Sequence, residues 1–122
     1  MNEITLISFG CLYGLPEEAD TVIGVRGLPN PYYVEALKHS TGLDPAVRDY
    51  VLSFPVTAAF LDKLLDILTF LIPCYEEEGK PSLMLCVGCT GGKHRSVALA
   101  ERITALLQDR GFRADCVHRD LK

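Results

Sequence analysis

The chain has no Trp, no internal repeat, no tract of biased composition and no stretch that reads as a linker. With 48% hydrophobic and 23% charged residues over 122 positions, it has neither a disordered nor a fibrous composition. An uninterrupted hydrophobic run is also missing. The greasiest stretch, Val56 to Ile72, is broken by Asp62, Lys63 and Asp66, which excludes a membrane span and predicts a buried helix. A basic leader is missing too: Met1-Asn2-Glu3 is acidic and leads straight into a strand-like run, so no secretory signal is expected. The five cysteines (11, 74, 86, 89, 116) are an odd set with no export signal, which predicts reduced thiols in the cytoplasm. Positive charge is scarce in residues 1–79, which hold 4 Lys+Arg against 12 Asp+Glu. Residues 80–122 reverse this, with 8 against 4. Such a chain, of net charge −4, will not coat nucleic acid over its whole surface, but it can hold one anion at one place.

The length suits one domain, residues 1–122, with a sizeable core. Ile4–Phe9 and Thr21–Val25 read as strands, separated by the Tyr13-Gly14-Leu15-Pro16 turn. Residues 26–43, with Gly27, Pro29, Asn30, Pro31 and Gly42, form a long ordered loop of the kind that tends to carry function. Asp44-Pro45 starts a helix to about Leu52, with Asp as cap and Pro at the first helical position. Pro55 opens a longer helix to about Glu78, stopped by Gly79 and Pro81. Ser82–Val87 is continuously apolar, as in a parallel strand buried on both faces. A glycine-rich turn, Gly88–Lys93, leads into a helix from His94 to about Arg110, with Gly111 after it and a last strand at Phe112–His118. This order predicts an α/β fold, a small three-layer sandwich with a mainly parallel sheet.

The turn between the third strand and its helix carries the clearest chemistry. Ligands of open α/β sheets bind at the carboxyl ends of strands. Gly91 and Gly92 let backbone N–H groups approach an anion, and the helix N-terminus adds partial positive charge. Lys93, His94 and Arg95 add donors, and Thr90 and Ser96 add hydroxyls. Basic residues at a helix N-terminus oppose its dipole unless an anion offsets them, which predicts a bound phosphate or sulfate group. The segment is not a P-loop: Gly88 to Gly92 is one residue too short, and His94 follows Lys93 where Ser or Thr is required.

Cys89, Gly92, Arg95 and Ser96 fit C-x-x-G-x-x-R-S, which resembles the phosphate loop of cysteine-dependent phosphatases. That resemblance implies the alternative function: Cys89 as nucleophile and Arg95 as oxyanion clamp. The general acid would then have to come from Asp44 or Asp120.

A longer resemblance runs over the chain. It is carried by Ser8-Phe9-Gly10, Tyr13-Gly14-Leu15-Pro16, Ala19-Asp20, Val25-Arg26, Leu28-Pro29-Asn30-Pro31, Thr41-Gly42-Leu43-Asp44, Gly88 through Val97, and His118-Arg119 with Leu121. This succession resembles the C-terminal domain of the RapZ/YvcJ family of bacterial RNase adapter proteins, without the P-loop domain that precedes it in full-length members. The resemblance implies a non-catalytic regulatory domain that binds a phosphosugar such as glucosamine-6-phosphate, with small RNA as a further partner and a homodimeric state. It implies ligand contacts at Thr90, Gly91, His94 and Arg95, with Tyr13 and Arg26 alongside.

Other residues are weighed by position. Arg26 and Asn30 follow the second strand at its carboxyl end, and His118 and Arg119 leave the last strand at the same edge, so all four are candidates to complete the ligand site. His118-Arg119-Asp120-Leu121 spells kinase letters with one residue to follow, so no kinase is expected. Cys86 and Cys89 form C-x-x-C, but the preferred reading puts Cys86 in the core and Cys89 against the turn, so no metal and no cofactor is expected.

Overall fold

A computed structural model of the chain describes residues 3–121. Met1, Asn2 and Lys122 lie outside the described residues, so the expectation for the acidic start rests on sequence alone. The elements are β1 (Glu3–Gly10), β2 (Thr21–Gly24), α1 (Pro45–Leu52), α2 (Pro55–Glu77), β3 (Ser82–Cys89), α3 (Arg95–Asp109) and β4 (Arg113–His118). Two 3-10 turns, Cys11–Tyr13 and Pro31–Tyr33, lie in the connections.

The sheet has the order β2-β3-β1-β4 and every neighbouring pair is parallel. The sequence reflects this order. The central strands β1 and β3 are buried almost without a break, whereas the edge strands β2 and β4 alternate in exposure. Ile4 and Leu6 of β1 and Leu83, Leu85 and Val87 of β3 face the helices. Leu61, Leu65 and Leu68 of α2 and Leu99, Ile103 and Leu107 of α3 close over them. On the opposite face Ile7, Phe9 and Cys86 gather with Cys11 and Ala19 of the β1–β2 connection. Helices, sheet and this connecting segment make the three layers. Asp20 fastens the segment to β3: its carboxylate accepts from Met84 N at 2.8 Å and pairs with Lys80 Nζ at 2.9 Å.

Helix boundaries follow the local chemistry. Asp44 Oδ1 accepts from Ala46 N at 2.9 Å, capping α1 ahead of Pro45. The α2 helix continues through Pro73, which sequence reading passed over. Gly111, at φ 88°, ends the turn after α3, where Phe112 N donates to Leu107 O at 3.1 Å. Two boundaries move in a way that matters for function. β3 runs to Cys89 rather than Val87, because the β1 ladder continues as far as Gly10 opposite Cys89. α3 begins at Arg95 rather than His94. Cys89 is therefore the last residue of a central strand and Arg95 the first of a helix, with a five-residue bend between them. Among the described residues no helix is long and apolar enough to cross a membrane.

Candidate functional site

A cavity of about 440 Å³ opens at the carboxyl ends of β1 and β3. Cys89, Thr90, Gly91, Lys93, His94 and Arg95 supply one side of it, and Leu12, Tyr13, Asn30, Tyr32 and Tyr33 the other. The backbone makes the bend possible at Gly92, whose φ is 72°. A Cβ there would lie 2.5 Å from Gly10 N, so the bend packs directly on the end of β1. Leu12 N donates to Thr90 O at 3.2 Å and Gly42 N to Lys93 O at 2.9 Å, tying the bend to both long connections.

Cys89 is buried and lines the cavity. Its Sγ lies 3.1 Å from the Oγ of Ser96, which is itself wholly buried. Burial alone raises the thiol. The Ser96 hydroxyl and the backbone N–H groups of Ser96, Gly92 and His94 outweigh this and leave it below the ordinary thiol value. The cradle thus favours negative charge on the sulfur.

Arg95 is 5% exposed. Its Nη1 donates to Arg26 O at 2.6 Å and to Leu28 O at 3.2 Å. Its Nε is buried and has no hydrogen-bond partner among the described residues. A buried guanidinium with an unmatched N–H is costly unless a ligand accepts from it. His94 is also buried, with Nε2 3.1 Å from Lys38 O. Burial is the chief cause that lowers its pKa. The Lys38 and Ser40 carbonyls oppose that fall, and the Lys93 and Arg95 charges add to it.

The rim is aromatic. Tyr13 is 62% exposed and Tyr33 is 83% exposed. Tyr32 stacks edge-on against Tyr33 with ring centroids 5.8 Å apart, and Lys38 Nζ sits 4.9 Å from the Tyr32 ring centroid. Asn30 Oδ1 accepts from Tyr32 N at 3.1 Å and so shapes the turn that presents these rings.

The structure therefore brings Tyr13, Asn30, Cys89, Thr90, Gly91, Lys93, His94 and Arg95 to one cavity. Gly92 and Ser96 stand behind it as backbone hinge and thiol partner. Arg26, His118 and Arg119 are not among its lining residues. Arg26 reaches the site through its carbonyl, which Arg95 binds, while its side chain is exposed. Arg119 Nη2 donates to Gly14 O at 2.7 Å and pairs with Asp120 at 2.8 Å, bracing the turn that carries Tyr13. His118 points along the helix face: Nδ1 is 2.7 Å from Ser8 Oγ and Nε2 is 2.6 Å from Glu101 Oε2. Ser8 is wholly buried, so this Ser–His–Glu chain offers no reachable nucleophile and works as a brace between β1, β4 and α3. Cys86 sits in the cluster on the opposite sheet face from Cys89, so the C-x-x-C pair does not converge. Asp44 caps α1 and Asp120 Oδ2 accepts from Gly10 N at 2.7 Å, and neither carboxylate lines the cavity. Sequence reasoning missed Leu12, Tyr32 and Tyr33. The adjacent tyrosines after Pro31, inside a long loop that faces the same edge, were the available signal.

Fold and site together define a parallel α/β domain with a cavity, lined by Cys89, Lys93, His94 and Arg95, at the carboxyl edge of its sheet. Residues 2–122 match the RapZ C-terminal domain family, and the chain belongs to that family. It is 54% identical over 119 residues to a nucleotide-binding protein of Caldicellulosiruptor saccharolyticus, covering 98% of this chain and 41% of that protein. It is 52% identical over 118 residues to one of Clostridium botulinum (97% and 40%), and 49% over 119 residues to one of Listeria welshimeri (98% and 40%). The chain thus spans about two-fifths of the length of these relatives.

Proposed function

We propose that this domain is a regulatory module that holds a phosphate monoester, a phosphosugar of the glucosamine-6-phosphate kind, without turning the sugar phosphate over. The observation that carries the reading is the buried Arg95, whose Nε has no partner, in the wall of a cavity that it shares with Cys89, whose sulfur the Gly92, His94 and Ser96 amides approach. The phosphate would lie against the Thr90–Arg95 bend, with Lys93 adding charge, and Tyr13, Asn30 and Tyr32 would meet the sugar. Calorimetry with glucosamine-6-phosphate, glucosamine and inorganic phosphate tests this. The first should bind best, the last weakly and the neutral-ring amine not at all. Silence from all three ends the proposal.

The relatives' name concerns nucleotides, and proteins of their length have room for a further nucleotide site. The bend here lacks the P-loop spacing, so we assign the 88–96 segment to a monoester rather than a triphosphate. In this reading the domain works in the cytoplasm and pairs with a second copy, a state that sedimentation at several concentrations would reveal. RNA ranks below the small ligand. Three cations of the basic third are already engaged: Arg95 is buried, Arg119 pairs with Asp120 and Lys80 pairs with Asp20. A structured RNA that fails to shift on a gel even at low salt removes that partner.

A further inference from the structure

We propose that Cys89 Sγ is a nucleophile for phosphoryl transfer, and that this cavity hydrolyses aryl phosphate monoesters while merely holding sugar phosphates. The inference rests on the phosphate seat described above and adds a reaction to it. Three placements carry it. Cys89 ends a central strand and lines the cavity floor. Ser96 Oγ stands 3.1 Å from its sulfur, able to donate to a thiolate and to a departing one. Arg95, fixed by two backbone carbonyls, keeps a buried N–H unmatched in the same wall. Nucleophile, anion clamp and helix-terminal amides thus meet at one point, the combination that phosphoryl transfer needs.

The substrate class follows from what lines the rest of the cavity. Among the described residues, none that line it is a carboxylate. Asp44 and Asp120 are committed to backbone N–H groups elsewhere, and His94 turns Nε2 to the Lys38 carbonyl. An alkoxide leaves only when an acid delivers a proton as the P–O bond breaks, and the phenol and ammonium groups of the rim are far weaker acids than a carboxylic acid. A phenolate leaves without that help. The exposed Tyr13, Tyr32 and Tyr33 offer ring faces and edges for an aryl group.

The step balances without a co-reactant other than water. The thiolate forms an S–P bond as the P–O(aryl) bond breaks, and the phenolate departs with the electron pair and takes a proton from solvent. Water then attacks phosphorus, the P–S bond breaks with its electron pair returning to sulfur as thiolate, and hydrogen phosphate leaves while the other proton of the water passes to solvent. A sugar phosphate enters the same seat, but its alkoxide is not expelled, so it acts as a competitive occupant.

Phenol release from 4-nitrophenyl phosphate and phenyl phosphate tests this with the purified chain. The expected result is turnover that drops steeply from the nitrophenyl to the phenyl ester, and no phosphate released from glucosamine-6-phosphate, which inhibits competitively. Cys89→Ser should abolish turnover yet still bind inorganic phosphate by calorimetry. Acid-quenched wild-type should carry a phosphoryl group on the peptide that contains Cys89. Wild-type protein that binds phosphate but releases no phenol overturns the catalytic inference and leaves the binding reading standing. Release that survives Cys89→Ser overturns it too. Absence of phosphate binding removes both.

Discussion

The thiols show how far a residue's setting governs its chemistry. Burial pushes Cys86 up to about 11 and Cys116 up to about 12, the latter helped by Glu101, whereas the amides and Ser96 bring Cys89 down despite its burial. Peptide mapping after brief iodoacetamide treatment at pH 7 should find Cys86 and Cys116 unlabelled, and Cys89 labelled unless phosphate is present. Labelling of Cys89 that phosphate does not slow would separate the sulfur from the anion seat. His94 gives a second residue-level outcome. Its folded pKa lies below the ordinary 6.5, so the unfolded chain binds this proton more readily. The associated stability is present above pH 6.5 and is lost as pH falls through the folded value. His94→Gln should flatten that part of the stability profile in urea titrations, and in NMR an anion in the cavity should move the His94 midpoint upward. At this scale the 89–96 residues were legible because glycines, cations and a cysteine at a strand end have few other uses together. What Arg95 does was not legible, since its carbonyl partners lie 67 and 69 positions away in sequence. Nor was the setting of His118, which depends on Ser8 of the neighbouring strand and Glu101 of α3.

Among the elements, the bend between β3 and α3 has the least room for change. A side chain at Gly92 must adopt φ 72° and would also meet the backbone of Gly10. Gly92→Ala should therefore destabilise the fold by at least ~1 kcal/mol in chemical denaturation and weaken phosphate binding with it. Asp44→Ala, which removes only the cap of α1, should cost about 1 kcal/mol and leave binding unchanged. Comparing the two variants separates a local helix effect from loss of the seat. The helices and the central strands could be read from the chain because caps, prolines and continuous apolarity are local signals. The exact ends of β1 and β3 could not, because they are fixed by the ladder each strand forms with the other. The sequence reading carried α2 through Pro73 to about Glu78 and the structure agrees to within a residue, with the packing of Leu68 and Ile72 holding the helix where local propensity would end it.

For the molecule as a whole, the parallel order β2-β3-β1-β4 sends both central strands to one edge, and the two longest connections meet there. A ligand that bridges them binds only the folded state. At 100 times its dissociation constant it should add roughly 2.7 kcal/mol, raising the melting temperature on the order of 10 °C for a domain of this size. Glucosamine-6-phosphate that leaves the melting temperature unmoved at millimolar concentration would argue against the seat. The sheet's parallel character was visible in the sequence, but its strand order was not, because no single segment records which neighbour it will choose. One guanidinium has a consequence at this scale. Arg95 lines the cavity, and its Nη1 holds the carbonyls of residues 26 and 28. An anion seated against Arg95 would therefore be tied, through a single side chain, to the backbone of residues 26–28.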